Sequence, residues 1–392
     1  MVRPRRRLRS GAAQLTGLAV GLVLGLMLPR IDGGPQVASA RTVEVLSVVA
    51  LGVVSVTALI FSLLFLVTQW AAGNYSPRLA LFQTDPLVWR TFALVVGLLS
   101  LTVTGLLAIG SRPTVSLALP ATVLLLSVIA LVLVRSLQLR AFRSIQLGHV
   151  LAGTGAQGHR VIDALFPADR PAVAAPVAPA AVSSTVRWRG RTTTIEQVDL
   201  DGLVRVAAAA DAVVELRAVI GSTIQHGDPV ADVRGGPLPD ETVTDALVVG
   251  RYRAFRQDPL LALRLLADTG LRALSPAVND PATAVQALDV IDGLLRRLVT
   301  ADLDRRSVPD ALGVVRLLVL LPGWAGFLRV AVDDLLPVAV DAPMVLLRLR
   351  DLLTGLRSIA PADRRASLEA RLRWVEQQLA DRHPPFVAEA TG

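Results

Sequence analysis

The chain has 392 residues, a hydrophobic fraction of 53%, only 18% charged residues and a formal net charge of +8, well away from the soluble norm. Its basic excess is carried by arginine, because neither lysine nor cysteine occurs. That excludes disulfides, thiolate chemistry, cysteine-based metal or iron–sulfur sites, Schiff-base and phosphate-loop lysines, and lysine-attached carriers; no cofactor is expected.

Five arginines crowd the first nine residues, and an apolar run follows. Uncharged stretches of 20, 33, 21 and 22 residues then separate Arg9 from Arg30, Glu44 from Arg78, Arg90 from Arg112 and Arg112 from Arg135. About 20 apolar residues cross a ~30 Å hydrocarbon layer as a helix. The pattern predicts an α-helical membrane domain, residues 1–147, with four spans near 12–28, 45–69, 91–109 and 117–134. With the N-terminus inside, the inner segments hold ten arginines and the two outer loops only Arg30, Arg41 and Arg112. Positive charge stays cytoplasmic, so both termini are expected inside a bacterial inner membrane. The first span has a second reading as a cleaved signal peptide, with Ala38-Ser39-Ala40 as its small-residue site; its apolar run exceeds the usual 7–15 residues. Even so, three spans would remain and the C-terminus would still be inside.

The spans carry no ionisable residue at depth, where pumps and proton relays place theirs. Ser47, Ser55, Thr57, Ser62, Thr102 and Thr104 are the main polar groups there; helix packing with back-bonding is one reading and a pore lining the other. The inner loop after the second span offers Ser76 as a cap, Pro77 at a first helical position, and Arg78 with Asp85 as a pair or a hold on a lipid phosphate.

Beyond residue 134 the chain reads as a helix leaving the membrane through 166, then a Pro/Ala-rich linker; 148–184 forms this connecting segment. Residues 185–250 form a small β-rich module. Residues 191–198 are β-branched, 199–209 have helical spacing, and 212–219 and 229–233 read as strands around the turn-rich 221–228. This pattern resembles a barrel-sandwich module of the biotinyl/lipoyl-carrier shape. Without its attachment lysine a carrier role is excluded, which leaves a structural or docking barrel. From 255 the chain turns helical, so 251–392 is expected to be a helical cytoplasmic domain. Asp258-Pro259 opens one helix, on which Arg264, Asp268 and Arg272 stand four apart. Asp280 caps the next with Pro281 at its first position. A late helix carries Leu368, Leu372, Val375 and Leu379 on one stripe. The apolar stretch 317–328 is broken by Pro322-Gly323 and is not a fifth span. The fold class is therefore a four-helix membrane domain followed by a cytoplasmic α+β domain, a small barrel-sandwich-like β module plus a helical bundle.

Gly250-Arg251-Tyr252-Arg253 with Gln257-Asp258, and the run from Leu271 through Ser275-Pro276-Ala277-Val278-Asn279-Asp280-Pro281 to Ala284, resemble the hallmark of a bacterial family of predicted membrane proteins, domain of unknown function 2254. Phe61-Ser62, the Ser76-Pro77-Arg78 turn and Asp85 extend the resemblance, which covers roughly residues 12–380. The chain departs from it in short outer loops and in the Ala/Pro-rich linker. The resemblance implies the same layout of spans and cytoplasmic domain, and no activity.

Arg253, Arg256, Asp258, Arg272, Ser275, Asn279 and Asp280 form the one candidate site. Two helix starts and several guanidinium groups are suited to an anionic small molecule or a lipid headgroup; alternatively Asp258, Ser275 and Asp280 are caps and the arginines pair internally. Expected partners are the lipid bilayer and such an anion. With no basic stripe interleaved with aromatics, nucleic acid is not expected. His149, His159, His226 and His383 lie singly, with no metal-ligand pair at helical spacing. The functional expectation is a membrane-anchored sensor or scaffold whose cytoplasmic domain binds a ligand or protein. The alternatives are a homo-oligomeric channel for ions or small solutes, then a cytoplasmic-face enzyme.

Overall fold

Long apolar runs and closely spaced glycines build the first part of the fold. A computed structural model describes residues 6–31, 33–74, 86–167, 181–303 and 306–384, and the chain divides into two units, Met1–Gln146 and Leu147–Gly392.

The first unit consists of α1 (Arg6–Met27), α2 (Ser39–Asn74), α3 (Pro86–Ile109) and α4 (Ala118–Ile145). Four stretches are long and apolar enough to cross a bilayer, Ala12–Arg30, Ser39–Ile60, Leu87–Ile109 and Ala118–Arg140, the first running past α1 into the turn Leu28–Arg30. The second stretch starts six residues before the expected boundary at 45, because the exposed Glu44 is accommodated within the helix. At 36 residues, α2 is about 54 Å long and exceeds a ~30 Å hydrocarbon layer.

Gly17, Gly21 and Gly25 stand one turn apart on α1. A Cβ at Gly17 would lie 2.5 Å from the Ala93 carbonyl oxygen; one at Gly21 would collide with the Gly97 carbonyl, and one at Gly25 with Thr104. The two backbones therefore touch, as small residues permit between membrane helices. Partner numbers rise together, so α1 and α3 run parallel. The Ser100 hydroxyl donates to the Leu18 carbonyl at 3.1 Å along the same seam.

Parallel α1 and α3 require their following loops to lie at one end, and these loops are joined. Strand β1 (Gln36–Ala38) pairs antiparallel with β2 (Thr114–Ser116), with Val37 opposite Val115. Ser39 N–H donates to the Pro113 carbonyl at 3.1 Å, and Leu117 N–H to that of Pro35 at 3.0 Å. Arg112 reaches the Pro29 carbonyl at 2.6 Å. Behind this clip Leu46, Leu98, Leu101, Ile109, Val115 and Leu119 form a buried cluster. The hydroxyls of Ser55, Thr57, Thr102 and Thr104 donate to carbonyls four residues earlier, at 2.9, 2.6, 2.6 and 2.6 Å.

The second unit is a mixed α/β region. Strands β3 (Val182–Arg187), β7 (Pro229–Gly235), β5 (Ala212–Leu216), β10 (Val315–Val319) and β9 (Arg306–Pro309) form one sheet in that order. Strands β6 (Thr223–Ile224), β4 (Thr193–Val198) and β8 (Leu247–Gly250) form a second. Helices α6 (Leu200–Ala209) and α7 (Asp240–Asp245) interrupt the strands. Inward residues alternate along β5, where Ala212, Val214 and Leu216 are buried.

Two expectations are corrected here. The region after 255 is not wholly helical, because β9 and β10 lie within it, and β10 runs parallel to β5 with Leu317 opposite Val214. Its short apolar run is a buried strand, whose pattern does not distinguish strand from helix. The helix leaving the membrane unit is also not continuous: α4 ends at Ile145 and α5 (Leu147–Leu165) begins after Gln146.

Around α8 (Leu260–Ala273) and α9 (Pro281–Val299) pack α5, α12 (Pro343–Ile359) and, beyond α12, α13 (Ala362–Arg382). On α13 the buried residues are Leu368, Leu372, Val375 and Leu379, the stripe read from sequence. Helix α10 (Trp324–Leu328) runs into a π-helical turn, Arg329–Asp333, before the short α11 (Leu336–Ala339). At the end of this turn successive carboxylates face different helices: Asp333 holds Arg371 of α13 at 2.5 and 2.6 Å, and Asp334 holds Arg264 of α8 at 2.5 Å. The planar guanidinium suits such two-point pairing better than an ammonium does.

Arg364 closes the C-terminal end of α9. It donates to the carbonyls of Leu298, Val299 and Ala301 at 3.0, 2.7 and 2.8 Å, and its guanidinium lies 5.9 Å from the Trp324 ring centroid. The last carbonyls of a helix lack intrahelical donors and attract a cation. Arg364→Ala is expected to destabilise by about 2–3 kcal/mol through orphaned acceptors and lost cation–helix attraction. Hydrogen exchange on the full chain should show the rise concentrated in peptides covering residues 295–303.

Candidate functional site

The polar residues singled out in sequence fall into two groups at opposite ends of α8. That helix has 14 residues, about 21 Å of rise. Before its start, the Asp258 side chain is 1% exposed and receives Arg253 through Nε at 2.6 Å and a terminal nitrogen at 2.7 Å. The same carboxylate accepts the Leu260 N–H at 3.1 Å. Gly221, at φ +90°, leans on it so closely that a Cβ there would strike Oδ2. Gln257 clamps the end of β4, accepting the Val198 N–H at 2.9 Å and donating to its carbonyl at 3.2 Å. Arg256 donates to Gln197 at 2.8 Å. The Arg253–Asp258 stretch thus fastens the three-stranded sheet and the 219–222 turn to the beginning of α8.

At the far end, α8 turns into α9 through the Ser-Pro…Asn-Asp-Pro stretch. Ser275 is not a cap for a helix start; its hydroxyl donates back to the Arg272 carbonyl at 2.7 Å. Asn279 takes φ +47°, the left-handed region that asparagine tolerates. Its N–H donates to Ser275 at 2.9 Å, and that of Asp280 to Ala273 at 2.8 Å. Asp280 caps α9, accepting the Thr283 N–H at 3.1 Å and the Thr283 hydroxyl at 2.6 Å. The positive end of α9 is filled by the chain's own carboxylate. Arg272 differs from its neighbours: its Nε is buried with no hydrogen-bond partner, and among the described residues no carboxylate pairs with it.

Hydrogen bonds from the Thr283 hydroxyl, then from its N–H, hold the Asp280 carboxyl below the usual carboxylate range despite partial desolvation. A folded-state value below the unfolded one stabilises above the unfolded pKa, and the benefit is lost as pH falls through the folded one. Asp280→Asn, which keeps a cap, should therefore flatten the acid limb of the stability curve below about pH 4 and leave neutral stability within about 1 kcal/mol. Thermal melts of the full chain between pH 3 and pH 7 measure this.

Ser76, Pro77, Arg78 and Asp85 lie outside the described residues. Among the described residues no group of three or more His, Asp or Glu side chains is suited to a metal ion. The α1 glycines escaped the sequence reading, although their four-residue spacing is a recognised membrane-helix packing signal.

The family described as Predicted membrane protein (DUF2254) matches residues 12–355. Among curated relatives, an uncharacterized protein of Mycobacterium tuberculosis (strain ATCC 25618 / H37Rv), Rv1290c, is 26% identical over 407 residues, covering 93% of this chain and 76% of its own. An uncharacterized protein of Mycobacterium bovis, Mb1321c, gives the same identity and coverage. No solved structure matches.

Proposed function

We propose, from the premise that the chain belongs to the family of predicted membrane proteins DUF2254, that it is a membrane-anchored scaffold or sensor. Its four helices hold it in a bacterial inner membrane, and the Leu147–Gly392 unit binds a ligand or partner in the cytoplasm. The observation that carries this is the chemistry of the anchor. The middle of each span carries no ionisable side chain, and the hydroxyls of Ser55, Thr57, Thr102 and Thr104 each donate to their own helix. Those four hydroxyl protons are therefore not offered to a passing solute. The two connections on its clipped side are short, so receptor work falls to the other side. The strands of 185–250, with their glycine-centred 221–228 turn, serve as a small barrel-sandwich-like docking module. The arginine asymmetry supports cytoplasmic termini.

The absence of cysteine makes the topology testable without background. With a membrane-impermeant maleimide, Gly33→Cys should label in intact cells. Tyr252→Cys, at a residue 74% exposed, should label only after permeabilisation. The reverse pattern overturns the orientation. Planar bilayers containing the full chain should carry no current above protein-free controls; reproducible unitary conductance overturns the anchor assignment in favour of a channel.

A further inference from the structure

We infer that α1 is a permanent member of the membrane bundle and is not removed as a targeting segment, a choice the sequence leaves open at Ala38-Ser39-Ala40. The inference is independent of the ligand- or partner-binding role assigned to the Leu147–Gly392 unit. Three observations carry it. First, α1 and α3 touch through their backbones: a Cβ on Gly97 would sit 2.8 Å from the Gly17 carbonyl oxygen, and one on Gly25 2.8 Å from that of Leu101. Removing α1 would leave on α3 a groove shaped for another backbone, and a smooth face of this kind loses its packing contacts when the partner helix leaves.

Second, the end of α1 is tied to the α3–α4 connection by the 2.6 Å bond from Arg112 to the Pro29 carbonyl. Third, the candidate cleavage residues are already engaged. Ala38 lies in β1 opposite Thr114. Ser39 gives its N–H and its hydroxyl to the Pro113 carbonyl at 3.1 and 3.2 Å, and Ala40 is in the first turn of α2. In the folded chain the clip and the helix use those backbone groups, so they are not free to add as a strand to a peptidase.

The test is the intact mass and N-terminal sequence of full-length protein, tagged at its C-terminus and extracted from the host membrane. One species that retains α1 is expected. Ala40→Leu, which spoils the small-residue site, should give the same start point as the unaltered chain. A product beginning at Arg41, or a start point that moves upstream only in Ala40→Leu, overturns the inference.

Discussion

Gly21→Ala should lower the thermal midpoint of the detergent-solubilised full chain, whereas Gly52→Ala should leave it unchanged or raise it slightly. Both changes add one methyl group to a membrane helix, so hydrophobicity and size are matched. The Gly21 methyl would collide with the Gly97 carbonyl and lie about as close to Leu101 N as a single atom contact allows, whereas nothing lies within 4 Å of the Gly52 position. Backbone atoms cannot step aside as a flexible side-chain tip can, so α1 must lift from α3. Overpacking of this kind costs about 1–3 kcal/mol. At Gly52 the only change is helix propensity, which favours alanine by up to about 1 kcal/mol. Gly21→Leu should exceed the alanine effect and broaden the size-exclusion profile. Equal melting of Gly21→Ala and the unaltered chain would mean that α1 does not lie on α3 along this seam.

The same glycines mark where the sequence was legible and where it was not. Charge placement alone located four spans, because an apolar run of 20 or more residues between charges has few other homes. Local chemistry also announced the α9 start at Asp280-Pro281 and the packed stripe of α13. Non-local pairing stayed hidden. Strand β10 is a short apolar run, and its parallel partner β5 lies about a hundred residues earlier, so neither periodicity nor turn residues connect them. The candidate residues divide into two groups for a different reason. Local spacing assigns each polar residue a role but does not by itself set the distance between the two groups. A helix over 260–273 already puts about 21 Å between Asp258 and the Ser275–Asp280 turn. One small anion cannot meet both ends.

The divided site makes a second large effect expected: Asp258→Ala should destabilise the Leu147–Gly392 unit by about 3–5 kcal/mol, the usual cost of removing one member of a buried ion pair. The carboxylate is 1% exposed, holds the Arg253 guanidinium and the Leu260 N–H, and lies close against Gly221 of the 219–222 turn. Its loss leaves a half-buried cation unpaired and removes a support of the sheet that carries β4. Asp258→Asn should recover only part of the loss, since an amide keeps an acceptor but not the charge. Arg272→Met is the informative contrast. The long unbranched side chain replaces a buried Nε that has no partner, so stability should hold or rise by up to about 1 kcal/mol, because an orphaned donor is costly to bury. Any loss in Arg272→Met must then come from binding. Chemical denaturation of the full chain, paired with hydrogen exchange over residues 219–222 and 253–260, separates the two cases. A neutral Asp258→Ala would show that Arg253 and Asp258 do not brace the fold, and would return both to the list of residues open to a ligand.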